Sequence, residues 1–205
     1  AAPRYTEVKL DKICTEIFQD LEKNTVDFID NYDGTMKEPV LLPTTFPNIL
    51  VNANQGIAVG MANNICSFNL SEVCKAAGEY IKDPDVVLED YLKAPDFSTG
   101  GQIIYSRSEM EKIYNSGRGS FKLRARYKFD KKNNIIEIFE IPYTTNSETI
   151  IDSVVDLVKK NKIKDITDVR DETDLKGLKI SIDIKKNTDA DDLMNKLYKL
   201  TPLED

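Results

Sequence analysis

The chain contains no histidine, and that narrows its chemistry before any motif is considered. His-based general base catalysis, Cys–His nucleophiles and His-bearing zinc sites are excluded. A nucleophile has to be Tyr, Ser, Thr, Cys, Lys or a carboxylate. The three cysteines, Cys14, Cys66 and Cys74, form no CxxC pair. An odd, sparse set suits a reducing compartment, so a cytoplasmic location is expected. Basic residues concentrate in one stretch. Arg118, Lys122, Arg124, Arg126, Lys128, Lys131 and Lys132 stand against a single acid, Asp130. The whole chain carries −7, which taken alone argues against nucleic acid, because phosphate contact relies on Lys and Arg. A cluster on one surface overrules that mean. Two readings of Lys122, Arg124, Arg126 and Lys128 stand level: a track for phosphates, or the solvated outer face of a half-buried hairpin. Gly117-Arg118-Gly119 is likewise a backbone nest for phosphate or a turn. Asp189-Ala190-Asp191-Asp192 has the form of a metal triplet, but acids in a helix's first turn are the commoner cause. No metal site is expected there.

Elements must position these residues. The 205 residues suffice for one large domain or two small ones, and 40% hydrophobic with 31% charged content reads as a soluble globular chain. No apolar run approaches the ~20 residues of a membrane span, and the opening Ala1-Ala2-Pro3-Arg4, without a charged and then apolar leader, is not expected to be a signal peptide. The missing initiator Met suggests a piece of something longer. Leu10, Ile13, Ile17, Phe18 and Leu21 fall at helical spacing, which predicts a helix over 7–22. Asn31 to Asn54, with Pro39, Pro43 and Pro47, reads as irregular. A second helix is expected over 71–81. Beyond Gly101 the texture changes: a strand over 102–106, a short helix over 108–115, then clean alternation from Ser120 to Asp130. There Phe121, Leu123, Ala125, Tyr127 and Phe129 share one face and Lys122, Arg124, Arg126 and Lys128 the other. A turn at 131–134, a returning strand 135–141, a helix 147–160, a strand 179–184 and a helix 191–200 complete the pattern. The order β-α-β-β-α-β-α predicts an α+β fold, a sheet backed by helices on one face, with a boundary near Thr99.

Several segments carry a resemblance. The opening Ala1-Ala2-Pro3-Arg4-Tyr5-Thr6-Glu7 is similar to the active-site motif of the A subunits of bacterial type IIA DNA topoisomerases, the family of the gyrase and topoisomerase IV A subunits. Asp30-Asn31-Tyr32-Asp33-Gly34-Thr35, Leu42-Pro43, Phe46-Pro47-Asn48-Ile49-Leu50-Val51-Asn52 and Gly56-Ile57-Ala58-Val59-Gly60-Met61-Ala62 resemble that family too. So do Pro95-Asp96-Phe97, Gly117-Arg118-Gly119, Glu140-Ile141-Pro142-Tyr143 and Arg170-Asp171-Glu172-Thr173-Asp174. They occur in family order over nearly the whole chain. Two runs, Glu38 to Pro43 and Arg170 to Leu178, lean slightly toward topoisomerase IV.

The resemblance implies that Tyr5 attacks a DNA phosphodiester to form a phosphotyrosyl link, with Arg4 stabilising phosphate charge. Residue chemistry suits both roles. A phenol with a pKa of ~10 attacks and leaves more readily than an alkyl alcohol, and a guanidinium stabilises a pentacovalent phosphorus. Arg-Tyr by itself is no signal; a Tyr before a helix is usually a packing residue. The resemblance also implies that Ile57 is a wedge between base pairs, where the residues alone read as a buried core strand. It implies an α+β chain: 1–98 as the end of a winged-helix cleavage domain and the start of a tower, 99–205 as the tower's α/β two-layer sandwich. Implied partners are double-stranded DNA, a second copy of the same subunit type, and an ATPase B subunit in an A2B2 assembly that holds both Mg2+ and ATP. The setting is cytoplasmic and nucleoid-associated, without a membrane. The isolated segment is expected to be inactive, and a non-catalytic DNA-binding or scaffold module is the alternative. Departures occur. Cys66-Ser67-Phe68-Asn69 replaces Pro-Pro-His-Asn, Ala94 stands where Gly precedes Pro-Asp-Phe, and Asn146-Ser147 replaces Asn-Lys. The lost His and Lys put their DNA contacts in question and leave Arg4 and Tyr5 untouched.

Overall fold

A computed structural model describes residues 3–205; the first two residues of the Ala1–Glu7 motif lie outside the described residues. The chain divides into two compact units, Ala1–Leu92 and Lys93–Asp205. Both mix helices with small antiparallel sheets, an α+β composition.

In the first unit regular structure is sparse. A 3-10 turn, Pro3–Tyr5, precedes α1, which spans only Cys14–Ile17. The expected helix over 7–22 is thus reduced to one turn. Its apolar stripe is poorly covered: Leu10, Ile13 and Phe18 are exposed, and only Ile17 and Leu21 are half-buried. Asp20 and Asn24 then take left-handed backbone, φ 65° and 59°, which halts a right-handed helix. Two hairpins follow, β1 (Phe28–Asp30) with β2 (Lys37–Pro39), and β3 (Asn54–Ala58) with β4 (Met61–Ile65). Between them lies the short α2 (Asn48–Val51). The helix α3, Leu70–Lys82, starts where expected: Asn69 caps it, its side chain accepting from the Ser71 and Glu72 amides at 3.0 and 3.4 Å. Val73 and Ala76 on α3 are the only fully buried hydrophobics among this unit's described residues.

The second unit holds a real core. Its sheet has four antiparallel strands in the order β7-β8-β10-β9: Arg126–Asp130, Ile135–Glu140, Ile180–Ile184 and Ile166–Asp171. Register places Phe129 beside Ile136, Ile136 beside Ile182 and Ile182 beside Val169. That apolar row meets α5 (Ser147–Lys159) through Ile150, Val154 and Leu157, and α6 (Ala190–Leu200) through Leu193, Met194 and Leu197, in one cluster. Asn146 caps α5 by accepting from the Thr149 amide at 2.8 Å. The alternation of 120–130 does not run unbroken. It divides into β6 (Leu123–Arg124) and β7, with a register shift between Arg126 and Tyr127. β6 pairs with β5 (Gln102–Ile103), and its other edge takes the chain end: Leu123 and Ala125 donate to the carbonyls of Asp205 and Leu203. α4 (Arg107–Ser116) lies between β5 and β6 in sequence. Strand β9 was not expected.

Candidate nucleic-acid interface

Tyr5 closes the 3-10 turn Pro3–Tyr5, and its residue is 76% exposed. The Arg4 guanidinium carbon lies 5.5 Å from the Tyr5 ring centroid, within cation–π range. A phenol and a cation are therefore adjacent on open surface. That arrangement admits a phosphodiester to the Tyr5 oxygen and supplies positive charge beside it.

Ile57 stands on the β3–β4 hairpin, 86% exposed. The core-strand reading is thereby corrected: a two-stranded ribbon in this unit has no layer packed over it, and Val59 and Met61 at its tip are exposed as well. Ile57 pairs with Ala62 and Ala58 with Met61, leaving Val59-Gly60 as the two-residue turn. Gly60 takes φ +82°, a left-handed value that a β-branched residue would resist. At Gly56 an added Cβ would come within 2.9 Å of the Asn63 side-chain oxygen, so the glycine lets Asn63 lie flat across the strand pair.

The basic strand is less free than its sequence suggests. The Lys122 ammonium pairs with Glu204 at 2.7 Å and Arg124 pairs with the other oxygen of the same carboxylate. The two cations, Lys122 first, hold the Glu204 carboxyl below the usual carboxylate range. Arg124 also lies over the Tyr198 ring at 4.9 Å. Arg126 pairs with Glu140 at 3.0 Å, and Glu140 accepts in addition from the Gly101 amide at 2.7 Å. Lys128 has no carboxylate partner among the described residues; it sits over the Phe139 ring at 5.1 Å, beside Arg126 at 5.4 Å. Arg118 is exposed, yet the amides around it are engaged. Gly117, in left-handed backbone, donates to Ile113 at 2.8 Å, and the Arg118 N–H donates to the Ser116 hydroxyl at 3.2 Å. Gly117 is the C-cap of α4, and Arg118-Gly119 leads away from the helix end. Asp189 likewise caps α6, accepting from the Asp191 and Asp192 amides at 2.9 and 3.0 Å.

Sequence reasoning gave no role to the acids that engage these cations, nor to the lattice on the sheet's outer face. There Arg170 pairs with Asp168, Asp183 and Glu172, and Lys179 with Glu137 and Glu172. Motif residues far apart in the chain meet: the Phe97 ring stacks on Tyr143 with centroids 5.7 Å apart. Among the described residues no group of three or more Cys, Asp or Glu is placed to hold a metal ion, and no helix is long and apolar enough to cross a membrane.

The family model for the A subunit of DNA gyrase/topoisomerase IV matches residues 1–205. The chain belongs to this family. It is 45% identical over 210 residues to the DNA gyrase A subunit of Halalkalibacterium halodurans. It is 46% identical over 211 residues to that of Clostridium acetobutylicum, and 44% over 210 to that of Ureaplasma parvum. Each match covers 100% of this chain and 25% of the relative, so the chain spans about a quarter of the length of these curated gyrase A subunits. Within the family, the Arg4–Tyr5 turn and the Ile57 hairpin fall inside the matched residues.

Proposed function

We propose that this chain is the part of a type IIA topoisomerase A subunit that carries the DNA-cleaving tyrosine. The observation that carries the reading is Tyr5, exposed beside Arg4 in a chain of this family. The Tyr5 oxygen bonds to a backbone phosphorus as the bond from that phosphorus to a deoxyribose oxygen breaks. The phenol gives up its proton and the departing oxygen takes one. The phosphotyrosyl link keeps the character of the phosphodiester, so resealing is the reverse step and needs no external energy. Arg4 stabilises the added charge on phosphorus. Ile57 enters a base step of the same duplex, opening it at a cost of roughly a few kcal/mol. Arg118 and Lys128 contact phosphate, and Lys122, Arg124 and Arg126 share it with Glu204 and Glu140.

We assign residues 1–98 to the end of the winged-helix cleavage region and the start of the tower, and residues 99–205 to the tower's α/β sandwich. Two such subunits cut opposite strands, and a B subunit completes an A2B2 assembly. We assign Mg2+ and ATP to that partner, and no step on this chain is routed through them. The setting is the bacterial cytoplasm at the nucleoid. The segment alone cleaves nothing and binds DNA weakly.

The test uses the full-length protein with its partner subunit, DNA and a denaturant trap. Covalent DNA attaches to the wild type and is lost in Tyr5→Phe; adduct that survives in Tyr5→Phe overturns the assignment. One observation favours a second reading as a non-catalytic module: Lys122, Arg124 and Arg126 are each paired with a carboxylate. Binding and bending of DNA by the wild type with no adduct at all would select it. A supercoiling assay of the same enzyme separates gyrase from topoisomerase IV.

A further inference from the structure

From Pro39 through Ser71 no charged residue occurs, in a chain that is 31% charged. The β3–β4 hairpin lies within that stretch and carries four amide side chains, Asn54, Gln55, Asn63 and Asn64. All four are exposed, and none of these side chains is hydrogen-bonded to another described residue. Register sorts them. Gln55 lies directly opposite Asn64, two residues along each strand from the Ile57–Ala62 pair. Partners directly opposite, and residues two apart, share one face of a ribbon. Gln55, Asn64 and Ile57 therefore present one face, while Asn63 lies across Gly56 on the other.

We propose that Gln55 and Asn64 are specificity-determining contacts, reading the minor-groove edges of base pairs beside the step that Ile57 opens. This rests on the reading of Ile57 as a DNA wedge. The combination is what a minor groove accepts. An apolar wedge between base steps acts from that groove, and amides donate to its acceptors. A·T and T·A pairs both offer acceptors there, and G·C adds a protruding amino donor. An uncharged ribbon releases no counterions, so its contribution is selection among sites rather than bulk affinity. Two residues along a strand advance about 6.6 Å, close to two base-pair steps of about 3.4 Å each. The amide pair thus reads about two base pairs from the wedge.

The test maps covalent cleavage sites with the full-length enzyme and its partner subunit. Substrates carry G·C, A·T or inosine·C near the cut. Inosine lacks the minor-groove amino group and keeps the major-groove face of guanine. Wild type treats inosine·C as A·T at positions about two pairs from the wedge. The double variant Gln55→Ala, Asn64→Ala loses that distinction, shifting the ratio of sites about fivefold, what one hydrogen bond contributes, equally at low and high salt. Total adduct stays in place because Tyr5 is intact. If inosine·C behaves as G·C, or if the variant keeps the wild-type site ratio, the amide pair does not read the groove and the proposal falls. No adduct from the wild type would instead overturn the cleavage reading itself. The variant Ile57→Ala separates the two: it lowers bending and leaves any amide preference measurable in binding.

Discussion

Tyr198 donates its hydroxyl to the carbonyl of Ala125 at 2.8 Å, across 73 residues of chain and out of solvent. Ala125 sits at the break between β6 and β7, where its amide donates to Leu203 at 2.8 Å. Both backbone groups of one small residue are therefore held by the C-terminal segment. Removing the hydroxyl leaves a buried carbonyl without a partner. Tyr198→Phe is expected to destabilise the second unit by about 1–3 kcal/mol, read as a lower urea midpoint with an unchanged slope. An unchanged midpoint would show that water replaces the phenol there.

Glu172 sets an acid limit on the outer face of the sheet. Hydrogen bonds from Lys179, then Ser181 and Arg170, take its carboxyl down to about 2. Its folded pKa lies below its unfolded value, so its contribution is fully present above about pH 4.5 and is lost as pH falls toward 2. Stability of the wild type is expected to fall more steeply over that window than stability of Glu172→Gln. Parallel pH profiles of the two would remove Glu172 from the account.

Arg4 is argued to act on the phosphorus and not on DNA affinity. Arg4→Ala is expected to slow adduct formation by about 10²–10³ with DNA binding nearly intact. Single-turnover cleavage, measured beside a binding titration, separates the effects. A loss confined to binding would make Arg4 a mere docking cation.

The basic strand gives a contrast between neighbours. Lys128→Gln is expected to reduce the salt slope of DNA binding by about one unit. Arg126→Gln should change it little, because Glu140 already neutralises that charge. Glu204→Gln releases Lys122 and Arg124 and should steepen the slope. Equal slopes for all three variants would mean that this strand does not touch phosphate.

Ile57→Ala should leave the fold unchanged, within about 0.5 kcal/mol, as for other surface substitutions, because the side chain is open to solvent. DNA bending by the full-length assembly should fall. Bending equal to wild type would make the hairpin tip irrelevant to the duplex.

Much of the second unit was legible from the sequence, and the reasons are local. Alternation marked β10, the segment after the 131–134 turn marked β8 as the returning strand, and the helices expected over 147–160 and 191–200 fall within a residue of α5 and α6. Strand β9 escaped because Ile166 to Asp171 does not alternate: only Ile166 and Val169 are apolar, three residues apart, and Asp168 is accommodated opposite Asp183 through Arg170, which pairs with both. The helix over 7–22 failed for the opposite reason: its apolar spacing is right, but most of the stripe, Leu10, Ile13 and Phe18, stays exposed. At the candidate site, Tyr5 and Ile57 came from motifs and stand exposed. The carboxylates that neutralise the basic strand lie 14 residues from Arg126 and 80 from Arg124, a separation that no periodicity reveals.

The strand order β7-β8-β10-β9 also sets a sequence of events in folding. β7–β8 and β9–β10 are neighbours along the chain and close short loops. The pairing of β8 with β10, Ile138 beside Ile180, must bring together segments separated by the whole of α5. Short loops close at little entropic cost and long ones later. The two hairpins are therefore expected to form first, with the meeting of their two isoleucine-rich inner edges as the later step.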